Sequence, residues 1–373
     1  MQNVVKQLLA TEKAMNANFV ERQAEIRAIL LALVAKKNIL LIGPPGVAKS
    51  SIIQQFIDAF TDVQSFTRLI SPTTQPDELF GSAKFDRLKE GVIERNIDGQ
   101  LPTAHFAFLD EIFKSTSDLL NGLLKIMNEH QFENGTDVLK TPLFTLIGAS
   151  NEFPEEEELA ALYDRFLLRR EVESLKTPDD LMTMLRGSTT AVDVPPISLA
   201  QLQALQQLAT EVVVPEHVLT QLVSIHFQLK EQGIPVSDRR TKQCLTILQA
   251  EALLNGRMQV VTNDLRALTD CLWIEAEDRD VVKAVIHEYV LTPLDHAFEK
   301  GDAFYSAVTT NVKAFDKAED FAYKAYTSYA SDTLNDWQTV KAEIEALVEN
   351  DDDRARLASL STNIERALTK VLL

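Results

Sequence analysis

The sequence predicts an α/β fold in which a parallel sheet fills the first half of the chain and helices fill the second. Two observations carry this reading. Short apolar runs alternate with helical segments between residues 38 and 150, as expected of doubly buried strands joined by crossover helices. Nine of the 12 glycines lie between Gly43 and Gly187, and neither Gly nor Pro follows Gly301. Turns therefore belong early, and long uninterrupted helices late.

Helices are expected over 4–18 and 21–36. NILLIG (38–43) then reads as a buried strand ending at glycine. A helix opens near Lys49 and runs through SSIIQQFIDAF, followed by strands at SFTRLI (65–70), HFAFLDE (105–111) and LFTLIGAS (143–150), with a helix over 116–130. The stretch 79–105 interrupts the alternation. Its segments FDRL and VIERNI flank KEG, the pattern of an inserted hairpin. RGSTTAVDVPP (186–196) reads as a linker, which sets expected domains at 1–190, 191–277 and 278–373. The second domain carries helical patterns at 198–211, 216–232, 238–255 and 262–275; the third carries them at 278–290, 293–316, 318–349 and 354–372. In the last two, Trp337, Val340, Ile344, Leu347 and Val348, then Leu357, Leu360, Ile364, Leu368 and Val371, recur at helical spacing. They read as a bundle packing its own core, with a docking surface as the other reading.

Composition narrows the function. Among 373 residues, 37 Lys and Arg face 55 Asp and Glu, a formal net charge of −18. The average field repels a phosphate backbone, so no nucleic acid partner is expected. No stretch approaches the ~20 apolar residues of a membrane span, and the N-terminal MQNVVKQLLATEKAMNANF lacks the apolar core of a signal peptide. A cytoplasmic protein is expected. Cys244 and Cys271 fall in apolar helical patterns and read as buried thiols. The six histidines are scattered without metal-ligand spacing, and no nucleophile–base pair stands out.

The chemistry gathers at strand ends. GPPGVAKS (43–50) follows an apolar strand and precedes a helix, the context of a phosphate-binding loop. Gly43, Pro44, Pro45, Gly46, Val47, Ala48, Lys49, Ser50 and Ser51 form the candidate nucleotide-binding set. Lys49 would neutralise phosphate charge and Ser50 would ligate Mg²⁺. Ala48 stands where the general pattern has its second glycine, and is tolerable there if its dihedrals are right-handed helical. Sixty-one residues after Lys49, Asp110 begins an acidic pair with Glu111 at the end of HFAFLDE. An ion near Asp110 and a water polarised by Glu111 would offset the cost of placing acids after a buried strand; a solvated strand end is the plainer alternative. Asn151 tips LFTLIGAS, where an amide can position water. Arg165, in LYDRFLLRR, could pair with Asp164 or reach a phosphate on a neighbouring subunit. Spacing does not separate it from Arg169 or Arg170. SDRR (237–240) opens a helix and sets Arg239 and Arg240 where a lid could close onto nucleotide.

Taken together, FVERQAEIRAILLAL (19–33), GPPGVAKS, FLDEIFK (108–114), LLNGLLKIMNEHQFENG (119–135), GASNEFPE (148–155), LYDRFLLR (162–169) and VSDRR (236–240) resemble the MoxR AAA+ ATPases, and within them the RavA-like branch, where Ala48 is usual. The resemblance covers roughly residues 5–275. It implies an AAA+ P-loop αβα core with a parallel sheet and a helical lid domain, to which the helical patterns after 278 add an all-helical C-terminal extension. It further implies a hexameric ring with ATP between subunits and Mg²⁺ as cofactor. Carried over, Lys49 and Ser50 are Walker A, Asp110 and Glu111 Walker B, Asn151 sensor 1, Arg165 the arginine finger and Arg239 sensor 2. The 79–105 segment matches an insert that faces the central pore. Such proteins remodel a protein client with a von Willebrand factor A-domain partner. The β-rich module of RavA-type proteins has no counterpart after 280. Two other classes remain open: a nucleotide-dependent switch with little turnover, and a DNA-acting motor. The second is poorly served by an insert whose Lys84, Arg87, Lys89 and Arg95 interleave with Asp86, Glu90, Glu94 and Asp98.

Overall fold

Five strand segments pair in parallel at the centre of the fold. A computed structural model describes residues 2–154, 157–186, 192–291, 293–316, 323–348 and 351–369. The strands are β1 (Ile39–Ile42), β2 (Ser65–Leu69), β3 (Phe106–Asp110), β4 (Thr145–Ser150) and β5 (Leu168–Glu171), in spatial order β2-β3-β4-β1-β5. All neighbours are parallel, so every strand ends at the same edge, where ligands of such sheets bind. β1 is the buried run ILLI, with Ile39 opposite Ile147 and Leu168. At the strand starts, Asn38 Oδ1 accepts from Leu146 N at 3.0 Å and its Nδ2 donates to Arg165 O at 3.4 Å. At the strand ends, Gly43 N donates to Ser150 O at 3.1 Å. Gly43 is required there by close approach: a Cβ on it would stand 2.1 Å from the Val172 carbonyl oxygen.

Three segments depart from expectation. LRRE forms β5, which two arginines had disguised: Arg169 is buried, and Arg170 reaches Glu25 and Asp270 at 3.4 and 3.3 Å. The inserted segment is not a hairpin. FDRLK is a helical turn, Phe85–Lys89, and the insert's one isolated pairing is an Ala83–Arg95 bridge. Asp86 in its first turn and Arg87 and Lys89 in its last suit the helix dipole. The true hairpin lies at Gln131–Asn134 and Asp137–Lys140, turning at Gly135. The Asn134 side chain holds the insert to it, accepting from Arg95 N at 2.6 Å and donating to Arg95 O at 3.1 Å. Last, the segment expected as one helix over 262–275 is a 3₁₀ helix, Thr262–Leu268, continued by Thr269–Leu272. Buried Asp264 shapes it by accepting from Val261 N and Arg257, each at 2.8 Å.

Helices Leu199–Thr210, Glu216–Glu231 and Asp238–Leu254 follow the sheet. The chain divides into two compact units, Met1–Tyr289 and Val290–Leu373. Helix Asp278–Val290, which the sequence had grouped with the extension, makes its contacts in the first unit: Arg279 pairs with Glu171 at 2.5 Å and Gln228 donates to Glu288 at 2.9 Å. The second unit holds helices Pro293–Asp316, Tyr323–Glu345 and Asp351–Thr369 around buried Phe298, Tyr326, Trp337, Ile344 and Ile364. Its helices meet closely at Gly301, where a Cβ would stand 2.8 Å from Leu360. Residues 187–191 of the expected linker, 318–322 of the expected helix and Val371 lie outside the described residues. No helix among the described residues is long and apolar enough to cross a membrane. Because Trp337 fills the centre of this small core, Trp337→Ala should destabilise the second unit by about 3–5 kcal/mol, measurable by urea titration.

Candidate functional site

The ends of β1, β3 and β4 deliver the residues singled out in the sequence to one place. Gly43 leaves β1 and Lys49 opens helix Lys49–Ala59, so Pro44–Ala48 form the loop between them. Lys49 is 7% exposed. Its ammonium donates to Gly43 O, to Pro44 O at 3.1 Å and to Asn151 Oδ1 at 2.8 Å. Burial pulls its pKa below the ordinary lysine value, and the carboxylates of Asp110 and Glu111 push it back up. The Asn151 amide is used at both ends: its Nδ2 donates to Glu111 Oε1. One side chain thus ties the lysine of β1's loop to the acid beyond β3. Ser50 Oγ donates to Asp110 Oδ2 at 3.1 Å, and Asp110 Oδ1 accepts from Glu111 N at 3.1 Å. Lys114 stands 3.4 Å from the other Glu111 oxygen. Ser51 is exposed on the following turn.

Backbone strain accumulates here. Ala48 has φ 68° and ψ 17°, and Glu111 has φ 54° and ψ 43°. Ala48 is therefore left-handed, against the right-handed geometry that would have made alanine costless. The conformation costs about 1–2 kcal/mol for a residue with a Cβ. What holds the loop is Arg22, which the sequence reading missed. Its guanidinium is 6% exposed and donates to Val47 O at 3.1 Å, Glu173 O at 3.0 Å and Glu21 O at 2.6 Å. The signal was present in FVERQAEI, an arginine immediately ahead of the apolar helix that precedes the first strand. Beside Pro45–Ala48 opens a cleft of about 900 Å³ lined by Phe19, Val20, Leu175, Pro178, Leu181 and Met184. It too was invisible in the sequence, because residues 17–22 and 174–184 come together only through the fold.

The arginines sort cleanly. Arg169 is 1% exposed, donates to Trp273 O at 2.8 Å and Tyr163 O at 3.2 Å, and stacks 3.8 Å from the Tyr163 ring centroid. Burial and the neighbouring Arg240 lower its pKa to about 10. Arg240 is equally committed, donating to Cys271 O, Phe166 O and Leu167 O at 2.5, 2.8 and 2.9 Å. Arg165 pairs with Asp164 at 3.0 Å, and Arg239 is exposed. Both line a recess with Lys36, Lys37 and Asn38 at the starts of the strands. Arg239 therefore lies at the edge away from this chain's own phosphate loop, and the expected closure of a lid onto nucleotide is not made within one chain. The four-residue β1, at about 3.3 Å per residue, sets roughly 13 Å of sheet between the two edges.

Within the loop, Ala48→Gly should relieve the left-handed strain and raise stability by about 1 kcal/mol, seen as a higher urea midpoint at unchanged slope.

Residues 6–210 match the family model for the MoxR domain of MoxR–vWA–β-propeller ternary systems, and residues 217–286 match an AAA lid domain. An uncharacterized protein of Methanocaldococcus jannaschii is 36% identical over 303 residues, 81% of this chain and 79% of that protein. Chaperone MoxR1 of Mycobacterium tuberculosis is 23% identical over 258 residues, 64% of this chain and 67% of that protein. Among solved structures, a candidate ATPase of Cytophaga hutchinsonii superposes with a TM-score of 0.62 at 18% identity, over 77% of this chain and 95% of that one, a likeness of fold. None of these matches reaches as far as the RavA-like branch. On the family model, the lid match and the parallel sheet that carries the phosphate loop, this chain belongs to the MoxR family of AAA+ ATPases.

Proposed function

We propose that the chain hydrolyses ATP at the strand ends and couples turnover to remodelling of a protein client, as an oligomeric, chaperone-like ring in the cytoplasm. The observation that carries this is the Lys49–Asn151–Glu111 chain of contacts beside the Ser50–Asp110 pair. The backbone N–H groups of Gly46–Ser50 and the start of helix Lys49–Ala59 would receive the β- and γ-phosphates. Lys49 would exchange carbonyl acceptors for phosphate oxygens. The adenine would lie in the apolar cleft next to the loop.

The residues present suit Mg²⁺. Among the described residues no cluster of three or more His, Cys, Asp or Glu forms a metal cage. Ser50 and Asp110 instead supply paired hard oxygens next to the phosphate site, the sparse protein share that Mg²⁺ takes when it also binds nucleotide. Bound there, Mg²⁺ would neutralise charge on the phosphates. Glu111, kept in place by Asn151 and flanked by Lys114, would orient the attacking water and take its proton. Asn151 contacts both Lys49 and Glu111, so a shift at the phosphates would be felt by the base through one amide.

Arg165 and Arg239 cannot serve the loop of their own chain across the sheet, so a neighbouring copy would supply them to each site. A ring of head-to-tail contacts, with a hexamer as the reading, meets that need. The description of the matched family supports a von Willebrand factor A-domain partner. The insert fits a surface toward a protein client. Lys84 pairs with Glu94 at 2.5 Å and Arg87 with Glu94 at 2.8 Å and Glu90 at 2.6 Å, while Phe85, Leu88 and Ile93 are exposed.

Glu111→Gln should keep ATP binding, measured by fluorescent-nucleotide titration, while steady-state turnover falls at least about 100-fold. Equal turnover would remove Glu111 from its role. Asn151→Ala should lower turnover, because it frees both Lys49 and Glu111, and should weaken ATP binding less than Lys49→Ala does, since toward the phosphates Asn151 acts only through the lysine.

A further inference from the structure

The recess at the strand starts, about 150 Å³ in volume, concentrates positive charge in a protein of net charge −18. Lys36, Lys37, Arg165, Arg239 and Arg240 line it, and Asp164 is the single carboxylate among the lining residues. That carboxylate is already shared, 3.0 Å from Arg165 and 3.5 Å from Arg240. Arg240 is otherwise spent on backbone carbonyls. The side-chain nitrogens of Lys36, Lys37 and Arg239 make no hydrogen bond or ion pair among the described residues, and the Arg165 Nε is buried without an acceptor.

Holding these cations together costs free energy. Burial, then the nearby Arg239, drives the Lys37 ammonium below its ordinary pKa. Lys36 occupies the left-handed cap of helix Gln23–Ala35 at φ 52°, a position that glycine fills without strain. A surface that accumulates unpaired like charges in a narrow recess is built to receive several negative charges at once.

We propose that Lys37, with Lys36 beside it, is a further phosphate-binding residue of the ATPase site, acting together with Arg165 and Arg239 on the nucleotide held by the phosphate loop of a neighbouring copy. This rests on the reading that the site is completed between copies. It adds that lysines preceding β1, and not the arginines alone, meet the neighbour's polyphosphate. The same strand thereby serves two nucleotides: its end cradles one and its start touches the next. The recess and the phosphate loop lie at opposite edges of the sheet, so the contact they make is head-to-tail, the kind of interface from which rings are built when its rotation closes.

The test uses the full chain with ATP. Lys37→Met should lower turnover about tenfold, the loss of one charge-assisted contact, while ATP affinity of dilute protein stays that of the wild type. In a Glu111→Gln background, the same change should weaken ATP-driven self-association in sedimentation velocity, and Lys37→Arg should restore it. Mixing Lys37→Met with Lys49→Ala joins an intact phosphate loop to an intact recess at roughly a quarter of interfaces, so turnover should rise above that of either variant alone. If Lys37→Met keeps full turnover while Arg165→Ala loses it, the role of Lys37 is refuted and the shared site stands. If neither change alters turnover, both readings fall. If Lys37→Met is slow and mixing restores nothing, Lys37 acts within its own subunit and the proposal is overturned.

Discussion

A lysine ammonium taken out of water at the mouth of a parallel sheet sets the terms for everything around it. Stripping solvent from an ammonium costs several kcal/mol unless acceptors replace it, and Lys49 has them in two loop carbonyls and the Asn151 amide. That amide carries the constraint onward to Glu111. The loop accepts a left-handed alanine, the acid beyond β3 accepts a left-handed φ, and Arg22 spends its guanidinium on clamping the loop to the end of β5. The arrangement is stiff where charge must be met and strained where flexibility would spoil alignment. This is the kind of preorganisation that lets a polar site act without rearranging during reaction.

The sheet gives this chemistry a direction. Its parallel strands send the phosphate loop, the acids and the asparagine to one edge, and the free cations to the other. Strain follows the same division. Of the six non-glycine residues with positive φ among the described residues, Glu21, Ala48 and Glu111 lie at the first edge, and Lys36 and His130 line the recess at the second. The sixth, Asp62, stands just ahead of β2 and does not line the recess. A monomer cannot bring its own two edges together through a packed sheet. The proposed repeating contact, each copy giving one edge and receiving the other, meets that constraint.

Much of the site was legible because strand ends announce themselves. NILLIG, HFAFLDE and LFTLIGAS each end an apolar run with a residue that can meet phosphate, metal or water, and their common direction followed from alternation with helices. What stayed hidden depended on contacts distant in sequence. LRRE looked too charged for a strand of this sheet until Trp273 and Tyr163 supplied carbonyls for Arg169. FDRLK alternates like a strand, yet it forms a helical turn whose charge order suits the helix dipole. Gly135-Thr136, the two residues between the paired strands, was a usable turn signal that the larger insert obscured. The φ of Ala48 could not be read at all, since it reflects a clamp from Arg22. The position of Arg239 depended on which edge of the sheet the helix Asp238–Leu254 approaches.

The central claim is that each ATP site is finished by a second copy of the chain, and dilution tests it without any mutation. Turnover per subunit, measured at saturating ATP over a wide range of protein concentration, should be low in dilute solution and rise steeply to a plateau as copies associate. The rise should coincide with assembly followed by sedimentation. A turnover per subunit that stays constant from dilute monomer to concentrated protein would contradict the account.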